Sequence, residues 1–222
     1  MTWLSMSWPY VLELTRDHLL LSIPAILLSV AIAVPIGRLA YRRPKTGGLI
    51  LGAASLMYAI PALPLLIMVP AVFGFPLRSP ATVLTALTVY GTALLARTAA
   101  DAFASVDAEV RSTALALGHS PRSVFWRVDL PLALPVLLSG VRVIAVSTVS
   151  LVTIGALIGV PGLGSLLTDG FQRGITEEVA VGVIGTILVA LALDALVLAA
   201  GRALTPWTRL PRPRQWAFGG AR

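Results

Sequence analysis

Cysteine is absent from the 222 residues, and charge is scarce, at 12% of the chain. The first absence excludes disulfides, thiolate-held zinc and thiol catalysis. The second excludes an ordinary water-soluble domain, in which about a quarter of the residues carry charge. Histidine is limited to His18 and His119, and lysine to Lys45. No His-Glu-x-x-His zinc helix and no Gly-x-Ser-x-Gly nucleophile turn occurs. Lys45 follows Pro44, not the glycine of a Gly-x-x-x-x-Gly-Lys-Ser/Thr phosphate loop. These gaps point away from an enzyme and away from any cofactor or metal held by this chain alone.

What the chain has is apolar length: 57% of its residues are hydrophobic, and the mean hydropathy is +0.88. One membrane-crossing helix takes about 20 residues, and five runs of that kind are legible, at about 19–37, 48–73, 81–97, 132–159 and 179–201. The fold class is therefore all-α, a polytopic membrane protein. Residues 1–17 carry Glu13, Arg16 and Asp17 with no basic start, so they read as an external segment and not as a cleavable signal. Trp3, Trp8 and Tyr10 suit a headgroup-level cluster. Pro61 and Pro64 interrupt the second run, and proline removes a backbone donor and clashes with the preceding turn, so a break is expected there.

Five spans place the two ends on opposite sides of the bilayer. One side then receives the loop after span 1, the long loop over 98–130 and the tail over 202–222. Together with Arg97 at its border it holds thirteen of the seventeen basic residues; three (Arg16, Arg78, Arg173) fall opposite and Arg142 lies within span 4. By the positive-inside rule the N-terminus is external and the C-terminus cytoplasmic. The net charge of +7 thus reports orientation. It does not point to nucleic acid, because the four arginines of the long loop face Asp101, Asp107, Glu109 and Asp129 and leave no phosphate-tracking patch.

The long loop carries helix punctuation. Asp107 is placed to cap a helix through residues 108–117, with Glu109 in its first turn and Gly118 at its end. Ser120-Pro121 then starts a second short helix, Ser at the N-cap and Pro at the first helical position. Val110, Ala114 and Leu117 share a face of the first, and Val124, Phe125 and Val128 a face of the second. The pair reads either as a knob that docks on a partner or as a surface link between two spans.

The spacing Ala114-x-x-x-Gly118, nine residues, Val128-Asp129-Leu130-Pro131 resembles the EAA loop of ABC-importer permeases, which reads Glu-Ala-Ala, three residues, Gly, nine residues, Ile-x-Leu-Pro. Ser112-Thr113 stands here in place of Glu-Ala. The resemblance extends over residues 13–200. It includes His18, Pro35-Ile-Gly37, Tyr58-Ala-Ile-Pro61, Leu130-Pro-Leu-Ala-Leu-Pro135 with Gly140-Val-Arg142, and Ile158-Gly-Val-Pro-Gly-Leu-Gly164 with Gly170. Those segments are similar to the branch that takes up osmoprotectants: glycine betaine, carnitine, choline or proline. The resemblance implies a type I ABC-importer permease (MetI-like) fold. It implies a second permease subunit, identical or related, a cytoplasmic ABC ATPase dimer that binds ATP and Mg, and an external substrate-binding protein. It also implies an ATPase-coupling loop in which Ala114, Gly118, Val128, Leu130 and Pro131 carry the pattern.

Four residues are candidates for the pathway. Tyr58 lies beside the Pro61/Pro64 break, where an aromatic face attracts quaternary ammonium groups and broken helices line substrate routes. Asp194 is the acid expected inside a span, and it has either a cationic substrate or Arg142 as its partner. Gly48-x-x-x-Gly52 and Gly155-x-x-x-Gly159 suggest close helix approach, and the Gly-rich stretch 159–174 suggests a flexible external gate or contact. A stand-alone secondary transporter or channel is the alternative, with Asp194 as its coupling acid.

Overall fold

The computed structural model describes residues 2–209 of the chain; the remainder of the basic tail lies outside the described residues. Among the described residues nine α-helices follow one another: α1 (Thr2–Arg42), α2 (Pro44–Ala59), α3 (Ala62–Phe73), α4 (Pro80–Ala104), α5 (Ala108–Ala116), α6 (Pro121–Val124), α7 (Leu130–Val152), α8 (Leu163–Arg173) and α9 (Thr176–Leu204). A π-helical turn, Phe125–Asp129, joins α6 to α7, and a 3₁₀ segment, Thr153–Ile158, follows α7. Four stretches among the described residues are long and apolar enough to cross a membrane: α1, α4, the continuous segment Pro121–Ile158 and α9. Helices α2 and α3 pass the same test only as a pair, bent by 109°, the geometry of a broken span or a re-entrant loop.

That bend sits where the prolines require it. Ile60, ahead of Pro61, is extended (φ −69°, ψ 126°), as the residue before a proline is pushed to be. Pro64 falls in the first turn of α3, where its missing N–H has no intrahelical partner to lose. At 1.5 Å per residue α2 and α3 are about 24 and 18 Å long, each too short for a hydrocarbon core of about 30 Å. The backbone freed at the break is satisfied from outside: the Tyr90 hydroxyl donates to the Ile60 carbonyl, and the Tyr58 and Tyr90 rings meet edge-on at 5.8 Å.

Helix α4 is the hub, with α1, α2, α3 and α7 all packed on it. The seam with α1 is lined by small residues: Ala25, Ala33, Ala96, Ala99 and Ala100 are buried along the two helices. At Gly37 a Cβ would lie 2.5 Å from the Ala99 Cβ and 2.7 Å from the Ala100 backbone nitrogen. Such contact suits a bilayer, where dispersion and hydrogen bonds drive helix association in place of the hydrophobic effect. Within this seam Ser29 Oγ is placed to donate to the carbonyls of Ala25 at 2.7 Å and Thr88 at 3.3 Å. His18, fully buried, holds α1 to α7 through Nε2, 3.0 Å from the Val149 carbonyl.

Three expectations are corrected. The first helix begins at Thr2 and not near residue 19. Val11, Leu14, His18, Leu21 and Ala25 recur at helical spacing on its buried face, so Glu13, Arg16 and Asp17 belong to the same helix. The stretch 159–174 is largely helix α8, and its glycines serve packing: a Cβ at Gly164 would strike the Thr153 backbone, and one at Gly170 would lie 2.9 Å from the Val179 nitrogen. Finally, Gly48 and Gly52 face open space, and Gly155 meets Val83 only at ordinary van der Waals distance. The close approaches lie elsewhere.

Candidate functional site: the knob and the bent helix

Helix α4 runs through to Ala104, so the projecting knob is shorter than the expected loop and is built from α5, α6 and the π turn. Its punctuation is local chemistry. An Asp107 carboxylate oxygen accepts from the Glu109 N–H at 2.8 Å, and Ser120 Oγ accepts from the Ser123 N–H at 3.3 Å. Gly118 turns the chain between them at φ +87°, a conformation that side-chain-bearing residues rarely adopt. The His119 ring lies 3.1 Å from Ser123 Oγ and closes the turn.

The π turn has an identifiable cause. Pro131 stands in the first turn of α7 within what is otherwise one continuous helix. It has no N–H to give the preceding turn, and its ring crowds the carbonyl four residues back. The turn widens, and the Leu130 N–H reaches the Phe125 carbonyl, five residues back. Val128, Leu130 and Pro131 are thus the joint between knob and span, each half-buried.

One side chain ties this joint to the rest of the knob. Arg111, on α5, donates from Nε to Asp129 at 2.8 Å, from Nη1 to the Tyr41 hydroxyl at 2.6 Å, and from Nη2 toward the Phe103 carbonyl at 3.5 Å. Its guanidinium therefore joins α5, the π turn and the ends of α1 and α4. Burial alone would pull its pKa down, but Asp129 and Tyr41 outweigh that and hold it above the ordinary arginine value, so it stays charged. Ala114 is buried, whereas Val110, Leu115 and Leu117 are exposed, Leu117 to 76%. The apolar face read from Val110, Ala114 and Leu117 is therefore only partly used by the chain itself.

Of the pathway candidates, Tyr58, Pro61 and Pro64 come together at the bend between α2 and α3, all exposed. Asp194 belongs to another contact. Arg142 on α7 donates Nε and Nη2 to its two carboxylate oxygens, each at 2.7 Å, which joins α7 to α9. A two-pronged pair of this kind engages the acid that an ion-coupled transporter would need free. At the opposite end of the molecule from the knob, a cleft of about 330 Å³ lies between α1 and α8, with Tyr10, Glu13, Asp17 and Asp169 on its wall.

Three contributors carried no sign of their role in the sequence. Arg111 and Asp129 stand 18 positions apart, and neither their charges nor the spacing around Asp129 marked them as partners. Tyr90, 30 residues from the carbonyl it satisfies, carried no local signal.

Comparison with known proteins is consistent with this geometry. The family model described as binding-protein-dependent transport system inner membrane component matches residues 23–210. The osmoprotectant import permease protein OsmW of Salmonella typhimurium is 31% identical, over 89% of this chain and 93% of that protein. The choline transport system permease protein OpuBB of Bacillus subtilis is 28% identical, over 86% and 87%. Among solved structures, a chain of the inward-facing MetNI methionine ABC transporter superposes with a TM-score of 0.74 at 21% identity, over 91% of this chain and 97% of that one. At that identity the likeness speaks for the fold: a MetI-like permease.

Proposed function

The chain belongs to the family of binding-protein-dependent transport system inner membrane components, a permease subunit of an ABC importer, and from that premise we propose how its parts work. Two permease subunits, identical or related, enclose the pathway. A cytoplasmic ATPase dimer, which holds the ATP and Mg, receives the two knobs, and an external substrate-binding protein delivers its ligand at the opposite face. The charge distribution supports an external N-terminus and a cytoplasmic C-terminus, with the knob on the ATPase side.

The observation that carries this reading is the knob itself. It leaves Val110, Leu115 and Leu117 exposed for a partner while Arg111 ties its α5 to its own π turn and to the ends of α1 and α4. An exposed apolar helix in a groove is a common docking mode. A knob that cannot swing freely transmits movement, so closure of the ATPases shifts α5 as a rigid lever and rotates the spans between inward- and outward-open states. Ala114, Gly118, Val128, Leu130 and Pro131 serve this coupling by setting the knob's shape and its joint to α7.

The cargo is a small quaternary-amine or amino-acid-type osmoprotectant: glycine betaine, carnitine, choline or proline. The names of the relatives support this class, as does the Tyr58–Tyr90 pair at the bend, since aromatic faces attract quaternary ammonium. Cells lacking other uptake routes, given the chain with its partner subunits, should accumulate labelled choline or glycine betaine. Unlabelled carnitine should compete and methionine should not. Competition by methionine alone would overturn the substrate assignment and leave the permease assignment standing.

A further inference from the structure

Between the end of α1 and the α6–π segment lies a cavity of about 480 Å³ lined by Arg38, Arg42, Pro121, Arg122, Phe125 and Trp126. Three guanidinium groups share it and no carboxylate does. Asp129 lies on the wall of an adjoining cavity, but Arg111 holds it. Among the described residues none of Arg38, Arg42 or Arg122 makes an ion pair. Arg38 is instead fixed over the Phe125 ring, 3.3 Å from its centroid, and Phe125 meets Trp126 edge-on at 4.9 Å. Three like charges around one cavity repel one another, and an anion relieves that repulsion.

The position says which anion. Arg38 and Arg42 follow the run of α1 that exposes Leu20, Ile23, Leu27, Leu28 and Ile32. Trp126, 59% exposed, precedes the exposed Leu132 at the start of α7. The two segments meet where Arg38 lies over Phe125, at the level where apolar helix gives way to arginine and tryptophan, and that is headgroup depth. We propose that this cavity binds the headgroup of an anionic phospholipid: the phosphate sits among Arg38, Arg42 and Arg122, and the acyl chains lie along the apolar faces beyond. The bound lipid bridges the end of α1 and the knob, so the bilayer braces the joint that Arg111 braces from inside. This rests on the membrane-spanning reading of α1 and α7 and is independent of the cargo.

The test uses the assembled transporter, purified in mild detergent and exchanged into nanodiscs containing phosphatidylglycerol and phosphatidylcholine. Native mass spectrometry then counts the phospholipid each complex retains. Arg42→Gln with Arg122→Gln leaves the Arg38–Phe125 stack in place and removes two exposed charges. With each juxtamembrane arginine worth roughly a fivefold factor, selective retention of phosphatidylglycerol should fall on the order of thirtyfold. Arg43→Gln with Arg127→Gln removes the same charge outside the cavity and should retain the lipid. Inorganic phosphate should fail to displace it. Equal loss from both double variants, or displacement by inorganic phosphate, would overturn the proposal. So would a double variant that keeps phosphatidylglycerol but sheds the ATPase, because the arginines would then serve that partner.

Discussion

Replacing Arg111 by Ala should leave the permease inserted and assembled but reduce substrate-stimulated ATP hydrolysis by about ten- to a hundredfold. The side chain makes three hydrogen bonds, one of them to a carboxylate, and a charge-assisted bond is worth about 1.5–3 kcal/mol. Its loss detaches α5 from the π turn and from the end of α1, so force on the knob is spent in bending it. Arg111→Lys should rescue only in part, because an ammonium cannot present the planar fork that reaches Asp129 and Tyr41 together. Asp129→Asn should fall between the two. Gly118→Leu should act the same way by another route: nothing lies within 4 Å of its Cβ position, so the cost is in the φ of +87° and not in space. The measurement is ATPase activity of the reconstituted complex, with and without loaded binding protein, beside co-purification of the subunits. Normal stimulation in Arg111→Ala would remove the lever from the account.

Gly37→Val should have the other large effect, and on the fold. A Cβ there meets the backbone of α4 at Ala100 and Ala96 as well as the Ala99 methyl. Backbone cannot rotate away, so α1 and α4 must separate, and overpacking of this kind costs about 3 kcal/mol or more. The expected outcome is loss of folded permease from the membrane fraction, or a fall in Tm on the order of 10 °C in detergent. Gly52→Val is the contrast, since a Cβ at Gly52 meets nothing within 4 Å. Thermal stability of the two isolated permeases decides the matter, and equal stability would contradict the assigned seam.

The contrast between Gly37 and Gly52 also shows what could be read from the chain before it was folded. Helix punctuation was legible because its chemistry is local: Asp107 and Ser120 bond to N–H groups two and three positions on, and Pro61 restricts its own neighbour. The knob and the bend follow from such rules, and both stand where the residues place them. Spacing motifs are weaker in a chain so rich in glycine and alanine. Gly48-x-x-x-Gly52 had the pattern without the partner, whereas Gly37 has the partner without a second glycine at that spacing. Counting charges hid the first four turns of α1, because Glu13, Arg16 and Asp17 line its outer face while Val11, Leu14 and His18 line the inner one. Glycine content suggested a flexible segment at 159–174, but there glycine allows close packing of α8. Nothing short of the tertiary structure could join Arg111 to Asp129, or Tyr90 to Ile60. The loop opening has Ser112-Thr113 where the EAA pattern has Glu-Ala, and the knob is braced by the Arg111–Asp129 pair.

The central claim is that this chain moves solute only when a partner spends ATP. Purified complex in liposomes, with binding protein and labelled glycine betaine outside and ATP inside, tests it most directly. Uptake should require the ATPase subunits and ATP, should stop when either is withheld, and should be absent for the lone chain under a sodium or proton gradient. Uptake by the lone chain under such a gradient, without ATP, would contradict the account.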